Sequence, residues 1–302
     1  MTQIMEAETV EIKKVSRIIS ILKFIKNNPT GIIGLLLVVT TILCAIFAPP
    51  YIAPHDPGAA SLGHRLDLPK WLDDTGKSQY LLGGGDQVGR DLLSRIIYGA
   101  RISLLVGICG VLISLVLGTF LGIVSGYFGK WMDDLIMRLA EVQLGLPFIL
   151  LAIVIMSVFG TGIEKIIIIL GLTYWVSFAR LIRGEILALK EQEYIQAAKA
   201  IGGTHFKIIL KHILPNVASS ILVLATMCIA EFILLEASLT FLGLGVEPTV
   251  PSWGGMLADS RNYMTSAWWI SVFPGIAIML TVLGFNLLGD WLRDRLDPNM
   301  KV

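Results

Sequence analysis

The sequence predicts an all-α, polytopic membrane protein with six transmembrane helices, and three observations carry that expectation. The 302 residues are 55% hydrophobic and only 16% charged, where soluble domains carry about 25% charged residues. Six apolar runs approach the roughly 20 residues, at about 1.5 Å each, that a bilayer core demands. Lys and Arg are also shared unevenly between the connecting segments. A net charge of +1 offers no basic footprint for nucleic acid.

The elements follow in order. Residues 1–30 form a polar tail. The first span, Gly31–Ala48, is free of charge and ends at Pro49-Pro50. The tail before it and the prolines after it indicate an uncleaved anchor, not a signal peptide. Residues 49–101 form a polar loop in which a Gly-rich turn leads into an amphipathic helix; there Asp86/Arg90 and Asp91/Arg95 stand at i, i+4. A five-helix domain over 102–289 comes next. Its first span, Ile102–Val124, carries Gly118/Gly122 and Gly122/Gly126, spacings that let helices approach closely. Val142–Gly160 contains Pro147, a predicted kink, and only Thr161–Lys165 separates it from Ile166–Ile182. The polar segment 190–216 intervenes before Val217–Leu242, which holds Glu231 and Glu236. Trp268–Gly289 opens on a Trp pair; with Trp253 and Tyr263 it reads as an interfacial belt. Residues 290–302 are a second polar tail.

Orientation comes from the cations. An N-terminus on the cytoplasmic side gathers 16 of the 24 Lys and Arg on that side and leaves eight on the other. The positive-inside rule therefore places both termini, and segment 190–216, in the cytoplasm. Arg180 and Arg183 read as anchors at that interface. Cys44, Cys109 and Cys228 each sit within an apolar run, without metal-site spacing or a disulfide framework.

Catalytic patterns are missing. "GGDQVGRD" has the G-x-x-x-x-G skeleton of a phosphate loop, but Arg90 and Asp91 occupy the positions of its Lys and Ser/Thr. A carboxylate there would repel phosphate. No G-x-S-x-G or H-E-x-x-H occurs. His55 and His64 share a loop with Asp56 and Asp67, but nine-residue spacing is weak support for a metal. The expectation is a chain with no catalytic residue, no metal and no cofactor of its own.

The informative stretch is "EYIQAAKAIGGTHFKIILKHILPN", residues 193–216. Tyr194, Ala197, Ala198 and Ile201 fall at i, i+3, i+4 and i+7 and form one stripe of a short helix. Gly202-Gly203 breaks that helix and permits a reversal. Thr204 can cap a second helix, and Pro215 stands where the fifth span begins. On the residues alone two readings stay open: a small-residue surface that another protein approaches, or an interfacial helix lying among lipid headgroups. Glu231 and Glu236, five residues apart, point to different surfaces. One lines a polar pathway, or both are structural groups between helices.

These residues resemble the cytoplasmic coupling loop of ABC importer permeases, whose pattern is E-A-A-x3-G-x9-I-x-L-P. Ala197, Ala198, Gly202, Leu214 and Pro215 match; Gln196 replaces the Glu and His212 the Ile. "GGGDQVGRDLLSRIIYGARISL" (83–104) is similar to the family's G-T-D-x-x-G-R-D-x-x-S-R segment, with Gly85 for Thr. "FLGLGVEPTVPSWGGML" (241–257) and "LGDWLRDRLDPNM" (288–300) resemble its last outer loop and tail. The resemblance covers about residues 18 to 300, and points to the shorter second permease of the dipeptide/oligopeptide (peptide/nickel) family, of type I fold.

The resemblance implies a multi-pass subunit of a bacterial or archaeal cytoplasmic membrane, paired with a homologous permease. Two cytosolic ABC ATPases, which bind ATP and Mg, would dock on Tyr194, Ala197, Ala198, Gly202, His212, Leu214 and Pro215. An extracytoplasmic binding protein would deliver peptides, or alternatively nickel chelates or glutathione, and Trp253 and Gly254 are candidates for its docking. Glu231 and Glu236 are candidates for the translocation pathway. Two rival classes are an ion-coupled secondary transporter, which would bring internal repeats and more spans, and a structural membrane subunit.

Overall fold

A computed structural model describes residues 28–47, 53–76, 78–80 and 85–296; most of both expected tails lies outside them. Among the described residues the only extended pairing is an isolated bridge between Gly85 and Asp91. Everything else that is regular is helical. The helices are α1 (Pro29–Phe47), α2 (Leu92–Ile123), α3 (Lys130–Leu144), α4 (Phe148–Phe159), α5 (Ile163–Leu189), α6 (Glu193–Ala200), α7 (His205–Ile208), α8 (Leu214–Phe241), α9 (Trp253–Ser260) and α10 (Trp269–Leu296). Five continuous helical stretches are long and apolar enough to cross a bilayer, and a bent pair makes a sixth.

Three spans differ from the sequence reading. α2 starts ten residues before Ile102, because the Asp91 carboxylate accepts the Ser94 amide and caps the helix there. The amphipathic helix expected in the loop is therefore the first three turns of the span itself. The kink expected at Pro147 is a full break: α3 and α4 meet at 86° across Gly145–Pro147. Proline disfavours helical backbone at the residue before it, here Leu146. The apolar half, α4, has 12 residues, about 18 Å, too short to span by itself. The fifth span starts early as well. α7 runs through a π-helical turn, Ile209–Ile213, straight into α8. Pro215 has no N–H to continue an α-helical ladder; the Leu214 amide instead reaches back five residues to the Ile209 carbonyl.

Glycine spacing sets the closest packing. A methyl group at Gly118 would lie 2.5 Å from the Phe178 Cβ and the Trp175 carbonyl; at Gly122 it would lie 2.9 Å from the Ala179 carbonyl, and at Gly126 3.0 Å from the Ile186 Cβ. The last two turns of α2 and the π-helical turn Val124–Phe128 that continues it thus touch α5 nearly backbone to backbone. α1 packs on α10 in the same manner: a Cβ at Gly31 would overlap the Trp291 indole, whose Nε1 donates to Asn28 Oδ1.

The bundle has two distinct ends. One carries segment 190–216 (the elbow end), and the other carries loop 53–91 and α9 (the loop end). At the elbow end Arg183 donates from Nε and Nη2 to the Asp133 carboxylate at 2.5 and 2.7 Å, and Ser125 Oγ donates to the same group. This bidentate pair fixes α3 to the end of α5. Further along, Trp175 Nε1 donates to Gln143 Oε1 at 2.8 Å, while Gln143 Nε2 donates to the Thr173 carbonyl. The side chain just before the break is thereby held on α5.

Candidate functional site: an anchored elbow beneath the helix bundle

The elbow begins where α5 ends at Leu189. α6 is only eight residues, too short to persist in water without help. Ile195 supplies that help: it is fully buried against the bundle core together with Ile186, Ile208 and Ile213. The opposite face is bare. Tyr194 is 45% exposed and Ile201 87% exposed, Ala197 is exposed, and Ala198 is half-buried. The helix hangs from one aliphatic hook and presents small and apolar side chains outward.

The reversal has an identifiable form. Gly202 has φ +82°, and its amide donates to the Lys199 carbonyl at 3.0 Å; the Gly203 amide donates to the Ala198 carbonyl at 3.0 Å. Those two bonds define a Schellman motif, which wants glycine at the left-handed position. A Cβ on Gly203 would stand 2.6 Å from the Ala198 carbonyl oxygen, so the second glycine is required by space and the first by backbone sign. Thr204 then accepts from the Lys207 amide and starts α7 as expected.

The elbow is tied to the bundle by polar contacts too. Tyr127, on the π-helical turn after α2, shares a 2.9 Å hydrogen bond with His205 Nδ1, and Lys199 Nζ lies 5.5 Å from the Tyr127 ring centroid. Lys190 Nζ donates to the Gly126 carbonyl. Of the remaining predicted residues, His212 is half-buried with its ring 6.3 Å from that of Tyr194, Leu214 packs on the core, and Pro215 is exposed. All seven predicted elbow residues therefore fall in one compact structure. The sequence reading missed its anchors, Ile195, Ile208 and Tyr127. Ile195 had a signal, being the single β-branched apolar residue within α6; Tyr127 is 78 positions from its partner and had none.

The two carboxylates of α8 part company, as their spacing requires. Glu236 is completely buried and accepts hydrogen bonds from Ser103 Oγ (3.0 Å) and Thr240 Oγ1 (2.9 Å). It ties α8 to α2 and reaches no surface, which removes it from any pathway wall. Glu231 is exposed and accepts from the Tyr174 hydroxyl at 2.8 Å.

At the loop end two expectations need correction. Trp253 is 2% exposed and donates from Nε1 to the Ile96 carbonyl at 2.9 Å, and a Cβ on Gly254 would sit 2.6 Å from the Ala237 carbonyl. Both lie inside the joint of α9 with α2 and α8, where an arriving protein cannot touch them. For the same reason the interfacial belt shrinks, since Trp269 is also buried and only Trp268 of these tryptophans is exposed.

The second i, i+4 ion pair is re-partnered as well. Asp91 is used as the α2 cap and receives His55 Nδ1 at 3.2 Å, while the buried Arg95 faces Asp86 at 3.6 Å. Asp86 holds Arg90 as predicted, with Nε at 2.6 Å, and accepts the amides of Val88 and Arg90. A turn, not a helix, makes that pairing. Gly85 and Gly89 admit the backbone of residues 61–64 so closely that a Cβ on either would overlap a carbonyl oxygen. His55 and His64 flank the Tyr80 ring edge-on and turn to different carboxylates, Asp91 and Asp67. Burial, then the charges of Asp91, Asp67 and Asp86, raises the Tyr80 phenol above its ordinary range, so the hydroxyl keeps its proton and donates it to the Gly89 carbonyl.

With this geometry in hand, comparison with known proteins is direct. The family described as "Binding-protein-dependent transport system inner membrane component" matches residues 118–302, and the "N-terminal TM domain of oligopeptide transport permease C" matches residues 18–69. The dipeptide transport system permease protein DppC of Alkalihalophilus pseudofirmus is 43% identical over 92% of this chain and 89% of its own. The di/tripeptide permease DppC of Pseudomonas aeruginosa is 40% identical over 91% and 90%. The glutathione permease GsiD of Escherichia coli is 45% identical over 88% and 85%. Among solved structures, the inward-facing MetNI methionine ABC transporter aligns with a TM-score of 0.55 at 18% identity, over 68% of this chain and 96% of that one. That likeness concerns the fold alone. Family models that match residues 18–69 and 118–302, with relatives 40–45% identical over most of the chain, make the protein a member of the binding-protein-dependent transport inner membrane components, the permeases of ABC importers.

Proposed function

We propose that this chain is the shorter permease subunit of an ATP-driven importer for di- and oligopeptides, and that α6 with its glycine elbow receives mechanical work from a cytosolic ATPase. The observation that carries this is the division of α6 into a buried hook, Ile195, and an exposed face, Tyr194, Ala197 and Ile201. The most exposed large apolar residue, Ile201, is left unpacked beside this helix, an apolar contact available to a partner protein. The peptide cargo is supported by the dipeptide and di/tripeptide permeases among the relatives; the glutathione permeases, whose cargo is itself a tripeptide, fit the same chemistry.

Force applied to α6 has two routes. Through the Schellman turn it reaches α7, which is continuous with α8. Through Tyr127–His205 it reaches the end of α2. A homologous permease would complete the pathway, two ATPases would seat below, and a binding protein would deliver cargo to the loop end. The excess of Lys and Arg at the elbow end supports an orientation with both termini on the ATPase side. The test is Gly202→Val. Open space surrounds Gly202, but its φ of +82° costs a β-branched residue roughly 1–2 kcal/mol locally. The variant is expected to assemble with its partners and to hydrolyse ATP while uptake falls. Normal uptake would remove the lever.

A further inference from the structure

Elbow and fold leave a polar pair in the bundle unused, Glu231 with Tyr174. Glu231 lies ten residues from the loop end of α8 at Phe241, and Tyr174 eleven residues from the start of α5 at Ile163. At about 1.5 Å per residue both stand some 15–17 Å from the loop end, half of a roughly 30 Å hydrocarbon core. A carboxylate at that depth costs about 2.5–3.5 kcal/mol on insertion scales, so it faces water, a cation or a partner, and not lipid.

Its surroundings narrow the choice. Among the described residues Glu231 has no ion pair, and its one hydrogen bond occupies Oε1, leaving Oε2 open. Tyr174 is locked in place by edge-on contacts with Phe232 at 4.8 Å and Phe148 at 5.9 Å between ring centroids. Phe148 is the first residue of α4, immediately after the 86° break. Broken helices at mid-membrane depth recur where transporters hold cargo. A fixed carboxylate backed by aromatic rings is a receptor for an organic cation.

Resting on the peptide reading above, we infer that Glu231, positioned by Tyr174 and Phe148, receives the free α-ammonium group of the passing peptide halfway through the membrane. Tyr174 is a positioning residue: its hydroxyl holds one carboxylate oxygen and turns the other toward the pathway. Glu236, buried with a hydroxyl on each of its oxygens, takes no part.

The test uses the complete importer in proteoliposomes, with its homologous permease, ATPases and binding protein, and alanyl-alanine as cargo. Glu231→Gln is expected to cut the maximal uptake rate by about tenfold or more, the scale of one lost charge-assisted hydrogen bond. Glu231→Asp recovers most of the rate, Tyr174→Phe loses only a few-fold, and the yield of assembled complex stays unchanged in all three. A dipeptide with a diazirine in its first side chain and its amine free is expected to crosslink, in the vanadate-trapped complex, to fragments carrying Tyr174 or Glu231. Unchanged uptake in Glu231→Gln overturns the inference. So does loss of the homologous permease from that variant, which would show that a partner's cation fills the site, and so do crosslinks confined to other fragments. A wild-type complex that imports no peptide at all fails differently, since it removes the peptide reading on which the site rests.

Discussion

The two ends of the continuous helix His205–Phe241 adjoin the same kind of turn, used for different purposes. At the elbow end, Gly202 and Gly203 close α6 with bonds to the Lys199 and Ala198 carbonyls. At the loop end, Gly243 has φ +80°, and the amides of Gly243 and Leu244 bond the Thr240 and Leu239 carbonyls, again a Schellman motif. The surroundings differ. After the loop-end turn a Cβ at Gly245 would overlap Thr240, and α9 lies clamped by Trp253 on Ile96, Gly254 on Ala237 and the Arg90–Asp259 pair at 3.4 Å. The elbow turn instead opens beside exposed Ile201 and a glycine with empty space around it. Backbone chemistry gives both ends a reversal. Packing makes one a closed cap and leaves the other a handle.

Substitutions that attack each end should separate these roles. The largest stability effect is expected from Gly254→Val at the cap, where the added Cβ meets backbone at 2.6 Å that cannot yield cheaply. A loss of about 3 kcal/mol or more, seen as a collapse in folded yield and thermal midpoint in detergent, is anticipated. A stable Gly254→Val protein would mean the cap is softer than its geometry. Asp133→Asn comes next. It removes a bidentate charge pair and leaves Arg183 half-buried without its partner, for about 1.5–3 kcal/mol, measured as a lowered denaturation midpoint; Arg183→Ala should recover part of that loss in the double variant. Smallest in stability is Ile201→Ser, with a change within roughly 0.5 kcal/mol, yet it should visibly weaken co-purification of the ATPase. An Ile201→Ser chain that retains the ATPase as well as wild type would make the exposed face irrelevant to docking.

The legible part of this molecule was what local chemistry dictates. Length and polarity mark the spans, Gly118, Gly122 and Gly126 mark a close helix contact without naming its partner, and Gly202-Gly203 with Thr204 mark the elbow. Contacts between distant residues were not legible. Nothing near Asp133 announces Arg183, fifty positions on, and nothing near Trp253 announces that Ile96 and Ala237 enclose it. Tryptophan's preference for interfaces predicts Trp253 at the surface, and tertiary packing overrides that preference. Helical spacing pairs Asp91 with Arg95, although an aspartate directly before a helix is better used as its cap. Pro147 alone predicts a bend, but beside Gly145 it ends the helix.

The most direct test of the handle is a photo-reactive amino acid placed at Ile201 in the assembled complex in membranes, with the same residue at Met264, exposed at the loop end, as control. Position 201 is expected to crosslink to an ATPase subunit, and position 264 is not. Crosslinks from position 201 that reach only lipid or this chain itself would contradict the transfer of force through the elbow.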